Sequence, residues 1–172
     1  ATLRKILQVY EDMERAFQVA AIMRSAGIRL NVVTYNNLIE ACCNAGRIER
    51  AFALAKEMIQ IHEVTPNSHT YNTLIRGCGQ WGELDAALRV LTSMRSAGVS
   101  PTVVTYSVAV AACARTGGAV ALEWAFDLLR DMGADGVQTN IVTFNSLIHA
   151  CARAARADRA FFVLELMRRE HI

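Results

Sequence analysis

Only two prolines, Pro66 and Pro101, occur in the 172 residues. Proline breaks helices, so long helical stretches run uninterrupted and a loop-rich all-β chain is argued against. Charge is also scarce. Charged residues make up 20% of the chain, and the formal net charge is +2. That is far from a histone-like excess: nucleic acid is permitted by charge but not indicated by it. Charge this scarce argues against intrinsic disorder, and 53% hydrophobic residues suffice for a full core. No CxxC pair and no zinc-type Cys/His spacing occurs among Cys42, Cys43, Cys78, Cys113 and Cys151. An odd count without such spacing speaks against a disulfide framework and makes a reducing compartment the default. The opening residues, ATLRKILQVYEDMERAF, hold no secretory apolar core. The longest uncharged run lies between Arg95 and Arg115. Its apolar part, Val103 to Ala114, falls short of the roughly 20 residues a spanning helix needs. A soluble chain with no membrane partner is expected.

What is present is a repeat, and repeats decide a fold before any single element does. Four segments align: VVTYNNLIEACCNAG from Val32, SHTYNTLIRGCGQWG from Ser68, VVTYSVAVAACARTG from Val103 and IVTFNSLIHACARAA from Ile141. Each holds a Thr-aromatic pair: Thr34-Tyr35, Thr70-Tyr71, Thr105-Tyr106 and Thr143-Phe144. Seven residues after each aromatic stands a cysteine, Cys42, Cys78, Cys113 or Cys151. One recurring position makes these cysteines small buried apolar residues, not ligands or nucleophiles.

A second helical pattern follows each segment. In RIERAFALAKEMIQ, Ile48, Ala51, Phe52, Ala55 and Met58 fall on one face. Leu84, Ala87, Leu88, Leu91 and Met94 match them in the next unit, and Ala157, Ala160, Phe161, Leu164 and Met167 near the end. Gly98 and Gly136 predict helix C-caps, while Asn67, Thr102 and Asn140 can N-cap the next helix. Each unit is thus a helix, a turn and an antiparallel helix, stable only when stacked. The expected organisation is an incomplete leading repeat over 1–31, mainly a second helix. Repeats follow over 32–67, 68–102 and 103–140, then a fourth over 141–172 without its linker, all in one continuous domain. The third carries three extra residues within GAVALEWAF, expected as an extended turn packed by Trp124.

The pattern VTYNxLIxxCxxAGxxxxAxxLxxxM, followed by a linker of the G-x-x-P-N/T/D kind, resembles the pentatricopeptide repeat. The tetratricopeptide alternative lacks its Trp and Leu-Gly signature here. The resemblance implies an all-α fold, a right-handed α-solenoid of antiparallel helix-turn-helix repeats. It further implies binding of single-stranded RNA at one base per repeat, with no cofactor or metal. In the family, bases are read by the fifth residue of a motif and by its last residue. Carried over, the fifth residues are Asn36, Asn72, Ser107 and Asn145. The last residues are Asn67, Thr102 and Asn140, with Asn31 closing the leading unit. By the family code, Asn36 with Asn67 resembles a pyrimidine reader and Ser107 with Asn140 an adenine reader. Asn72 with Thr102 departs from the common pairs and leans towards pyrimidine. The second residues, which pack on base faces, are Val33, His69, Val104 and Val142; the histidine departs from the apolar wedge but can stack. The same Asn, Ser and Thr residues are also ordinary helix caps, and capping does not exclude reading.

Charge placement is a separate argument. The four first-helix segments hold one acid, Glu40, and three arginines, Arg76, Arg115 and Arg153. Acids and bases cancel elsewhere, so the whole excess of +2 lies in these segments, and an acid-poor surface tolerates phosphates. Arg115 and Arg153 share one repeat position and are candidate phosphate contacts. Asp127, Asp131 and Asp135 form an acidic stripe expected to be a solvated outer face. No catalytic constellation is present, so an RNA-binding module is expected, not an enzyme. So few repeats imply reliance on further repeats, a second copy of the chain or a protein partner. By resemblance, the setting is RNA processing, splicing, stabilisation or translation in a chloroplast or mitochondrion. The alternatives are a protein-interaction scaffold, a ribosome subunit, or the binding arm of a longer enzyme.

Overall fold

The computed structural model describes the backbone of residues 2–170 and 172, and side chains from residue 8 onward within that range. Nine α-helices and no strand occur among the described residues. They are α1 (Thr2–Ser25), α2 (Val32–Asn44), α3 (Ile48–Gln60), α4 (Ser68–Gln80), α5 (Leu84–Ser96), α6 (Val103–Thr116), α7 (Gly118–Ala134), α8 (Ile141–Arg153) and α9 (Ala157–Arg169). The all-α expectation is met. The helices group into two compact units, Ala1–Gly77 and Cys78–Ile172. In the first, α2 packs on α1 and α3; in the second, α6 packs on α5, α7 and α8, and α8 on α7 and α9.

The core follows the repeat. Of the four aromatics after the recurring threonines, Tyr35, Tyr106 and Phe144 are wholly buried and Tyr71 nearly so; Cys42, Cys78, Cys113 and Cys151 are wholly buried too. Burial pushes the Cys78 thiol up to about 11 and that of Cys113 to about 12, so both stay protonated and apolar in character. In α3 the buried line is Ala51, Leu54 and Met58, while Phe52 is only half-buried. In α9 Val163 alone is buried, and Phe161 is 69% exposed. The stripe expected through Phe161 and Leu164 there is therefore not core, because only one neighbouring hairpin covers that helix among the described residues.

First helices approach each other closely where both carry small residues. A Cβ on Gly77 would fall 2.3 Å from Cys43 Sγ, and one on Gly79 would fall 2.3 Å from Ala112 Cβ. The turns close by a shared device. Val99 N–H donates to Met94 O and Gly98 N–H to Arg95 O, with Gly98 at φ 74°. The same pair of bonds ends α8, where Arg156 N–H reaches Cys151 O, but there the left-handed position is Ala155 at φ 53°. The three extra residues of the third repeat are helical, not an extended turn. α7 has 17 residues against 13 in α3, α5 and α9, and the turn before it shrinks to Gly117 alone. Trp124 lies half-buried within that longer helix.

On the second-helix side, an arginine, a tyrosine and an acid join successive hairpins in each unit. Tyr35 donates to Glu57 Oε1 at 3.0 Å, and Arg24 pairs with the same carboxylate. Tyr106 donates to Asp135 Oδ2 at 2.6 Å, while Arg95 donates to both. The acidic stripe is thus not simply a solvated face. Asp135 and Asp131 both face Arg95, at 3.1 and 3.8 Å, and Asp127 pairs with Arg130. The Tyr106 hydrogen bond, then Arg95, holds the Asp135 carboxyl below its usual range. Burial, reinforced by the acid partners, pushes Tyr35 and Tyr106 up to about 12. No helix among the described residues is long and apolar enough to cross a membrane.

Two backbone sites give predictions of opposite sign. Ala155→Gly relieves a left-handed alanine and is expected to stabilise the chain by about 0.5–1 kcal/mol. Gly79→Ala, which normally favours a helix, is expected to destabilise by about 1 kcal/mol or more because the added methyl overlaps Ala112. Thermal melts of the two variants check both signs. The tyrosines add a pH dependence. Unfolded tyrosine ionises near pH 10 and the folded ones near 12, so their contribution is complete below about 10 and is lost as pH rises towards 12. The melting temperature is expected to fall over that window, and Tyr106→Phe to flatten the fall.

Candidate nucleic-acid interface

Each first helix begins on a polar residue whose side chain caps it. Asn31 Oδ1 accepts from Thr34 N at 3.0 Å, Asn67 Oδ1 from Thr70 N at 3.1 Å and Asn140 Oδ1 from Thr143 N at 2.9 Å. Thr102 does the same for Thr105 in a reciprocal capping box. The last residues of the motifs are therefore caps in the structure. Capping consumes only their oxygen, so each asparagine keeps its NH2 group. Of the fifth residues, Asn36 and Ser107 are 5% and 7% exposed, whereas Asn145 is exposed.

The structure brings the fifth and last residues of two motifs together through the threonine of the next first helix. Thr70 Oγ1 lies 2.7 Å from Asn36 Oδ1 and 3.1 Å from Asn67 Oδ1. Asn36 Nδ2 and Asn67 Oδ1 are 3.5 Å apart, at the limit of a hydrogen bond. In the second unit, Thr143 Oγ1 lies 2.8 Å from Ser107 Oγ and 3.0 Å from Asn140 Oδ1, and Ser107 also reaches Val103 O at 2.8 Å. Thr70 and Thr143 have no exposure at all. Asn72 behaves differently: its Oδ1 is buried without a hydrogen bond, as is Thr73 Oγ1 beside it. The motif that departs from the common pairs thus also holds a buried reader oxygen without a hydrogen bond.

Beside these starts stand apolar side chains in water. Val33, Val104 and Val142 are 59%, 55% and 55% exposed, and His69 is exposed at the equivalent place. A single exposed valine needs no explanation, but the same exposed position in α2, α6 and α8 is a surface feature. Towards the other end of the same helices, the arginines have structural partners. Arg115 Nε donates to Gly79 O at 3.3 Å, and Arg153 Nη2 to Arg115 O at 3.3 Å. Each cation thus sits on the carbonyl-rich C-terminal end of the preceding first helix, where it is favoured. Arg76 is paired with Glu40 at 2.8 Å. The excess charge of the first helices therefore rests on Arg115 and Arg153, both in the second unit.

In the sequence the recurring threonines stand out only as part of the Thr-aromatic signature; the contacts of Thr70 with Asn36 and of Thr143 with Ser107 were not foreseen from it. Their invariance across all four segments was the available signal.

A profile of the PPR repeat family matches residues 30–80 and 66–115, and one described as the pentatricopeptide repeat domain matches residues 127–172. A chloroplastic pentatricopeptide repeat-containing protein of Arabidopsis thaliana is 30% identical over 67% of the chain, which spans 15% of that protein's length. Among solved structures, maize PPR10 in complex with an 18-nt psaJ RNA element is 23% identical, with a TM-score of 0.78 over 89% of this chain and 22% of its own. The PPR domain of Arabidopsis thaliana protein-only RNase P 1, in complex with tRNA, is 19% identical, with a TM-score of 0.72 over 99% of this chain and 89% of its own. These structures share the helical-repeat fold.

Proposed function

Because the chain belongs to the pentatricopeptide repeat family, and its first helices start on matched polar and apolar side chains, we propose that it binds single-stranded RNA without catalysing a reaction. One observation carries the reading. An exposed valine stands beside a polar reader pair joined by hydrogen bonds at the starts of α2 and α6. Apolar side chains at these starts suit the faces of unstacked bases, and carboxamide or hydroxyl groups suit their edges. Two relatives of the same fold were solved with RNA, which supports the assignment. Each reader pair addresses one base: Asn36 with Asn67 a pyrimidine and Ser107 with Asn140 an adenine. Arg115 and Arg153, at one shared repeat position, serve as phosphate contacts. The chloroplastic relative supports an organellar setting in RNA processing, splicing, stabilisation or translation.

At roughly 1–3 kcal/mol per stacked base, a few repeats bind with modest affinity. Further repeats, a second copy or a protein partner supply the remainder. Titration of the chain with short labelled RNA pools is expected to reveal binding at low salt that weakens as salt rises. Arg115→Ala and Arg153→Ala are each expected to reduce the salt slope by about 0.7. No binding at low salt, with a peptide or protein captured in its place, refutes the RNA reading. Ser107→Asn combined with Asn140→Asp is expected to move the preference at one base from adenine towards uracil. An unchanged preference refutes the assignment of these readers.

A further inference from the structure

We propose that Thr70 and Thr143 are positioning residues that set the hydrogen-bond polarity of the reader pairs in the preceding motifs. Neither can touch a base, because both side chains are fully buried. The inference rests on the RNA reading above and concerns how discrimination arises within it.

Counting protons decides the polarity. Thr70 has one hydroxyl proton, and its oxygen already accepts the Asn67 backbone N–H at 3.2 Å. The proton goes to the nearer acceptor, Asn36 Oδ1 at 2.7 Å, in preference to Asn67 Oδ1 at 3.1 Å. The carbonyl oxygen of Asn36 is therefore held inward, and its NH2 has only the 3.5 Å contact to Asn67 Oδ1. The oxygen of Asn67 is likewise taken by Thr70 N–H, which leaves its NH2 unengaged. The pair offers two donors. Cytosine, with adjacent acceptors at N3 and O2, matches two donors. Uracil sets an N3–H between its carbonyls and opposes one of them.

The second network has two hydroxyl protons and spends both internally. If Ser107 donates to Thr143, then Thr143 donates to Asn140 Oδ1; if Thr143 donates to Ser107, then Ser107 donates to Val103 O. Either way Ser107 has only lone pairs to offer, while Asn140, its oxygen held by Thr143 N–H, offers NH2. An acceptor beside a donor matches the N6 amine and N1 of adenine. Guanine presents the reverse order, O6 and N1–H.

The test is competition among short RNAs that differ at one base, with melting temperatures taken alongside. It compares the native chain with Thr70→Val, Thr70→Ser, Thr143→Val and Thr143→Ser. The native chain is expected to favour cytosine over uracil at one position and adenine over guanine at another. Thr70→Val is expected to reduce the first ratio, and Thr143→Val the second, by about fivefold, the weight of one hydrogen bond. Each is expected to leave the other ratio and the affinity for a mixed pool near native. The serine variants, which keep the hydroxyl, are expected to hold both ratios. Folded valine variants with native ratios overturn the proposal. Should a valine variant fail to fold, the serine variant decides alone, and a changed ratio in a folded Thr70→Ser or Thr143→Ser overturns it. A native chain that binds no RNA overturns the RNA reading and this inference with it, and differs from the other outcomes in giving no ratio for any variant.

Discussion

The structure depends on how closely neighbouring first helices can approach. Gly77 against Cys43 and Gly79 against Ala112 leave no room for another methyl group. Small side chains recur at both positions in every segment: Ala41, Gly77, Ala112 and Ala150 at one, Cys43, Gly79, Ala114 and Ala152 at the other. Backbones this close place the start of one first helix within hydrogen-bonding reach of the next. The contacts from Asn36 to Thr70 and from Ser107 to Thr143 follow from that distance. So do the bonds from Arg115 and Arg153 to carbonyls of the preceding helix. Larger residues at the small positions would separate the helices, and polar groups that now bond to one another would be left to water.

Within each unit, first and second helices solve different problems. The second-helix side ties hairpins together with charge: Arg24 and Glu57 around Tyr35, Arg95 and Asp135 around Tyr106. Glu57 and Asp135 are thereby neutralised by the chain itself. The starts of the first helices carry almost no acid, and their polar groups are amides and hydroxyls with part of their capacity unspent. A neutral, partly engaged polar edge suits recognition of a neutral base edge, where a charged one would favour the phosphates without regard to sequence.

Much of this was legible in the sequence, for identifiable reasons. The recurrence of Thr-aromatic and cysteine marked the first helices, because a position buried in every repeat tolerates few residue types. Caps were legible from Asn67, Thr102 and Asn140, since capping is a local interaction within three residues. The partners of Asp131 and Asp135 were not, because Arg95 lies in the preceding hairpin and no local pattern links them. The insertion before Trp124 was misjudged for a related reason. Gly117 and Gly118 suggest a loop, yet one residue suffices to turn the chain there and the apolar run beyond it continues as helix. Phe161 matched Phe52 in sequence, but its burial depends on a neighbour that its own segment does not specify.

The hydrogen bonds of Thr70 and Thr143 also bear on what counts as an interchangeable part. By sequence, a repeat runs from one first helix to the residue before the next. By bonding, the group that acts together is Asn36, Asn67 and Thr70, or Ser107, Asn140 and Thr143, and its third member belongs to the following repeat. A repeat transplanted at its sequence boundary would leave that member behind and inherit another from its new neighbour. A splice placed after the threonine would carry the whole triad across intact.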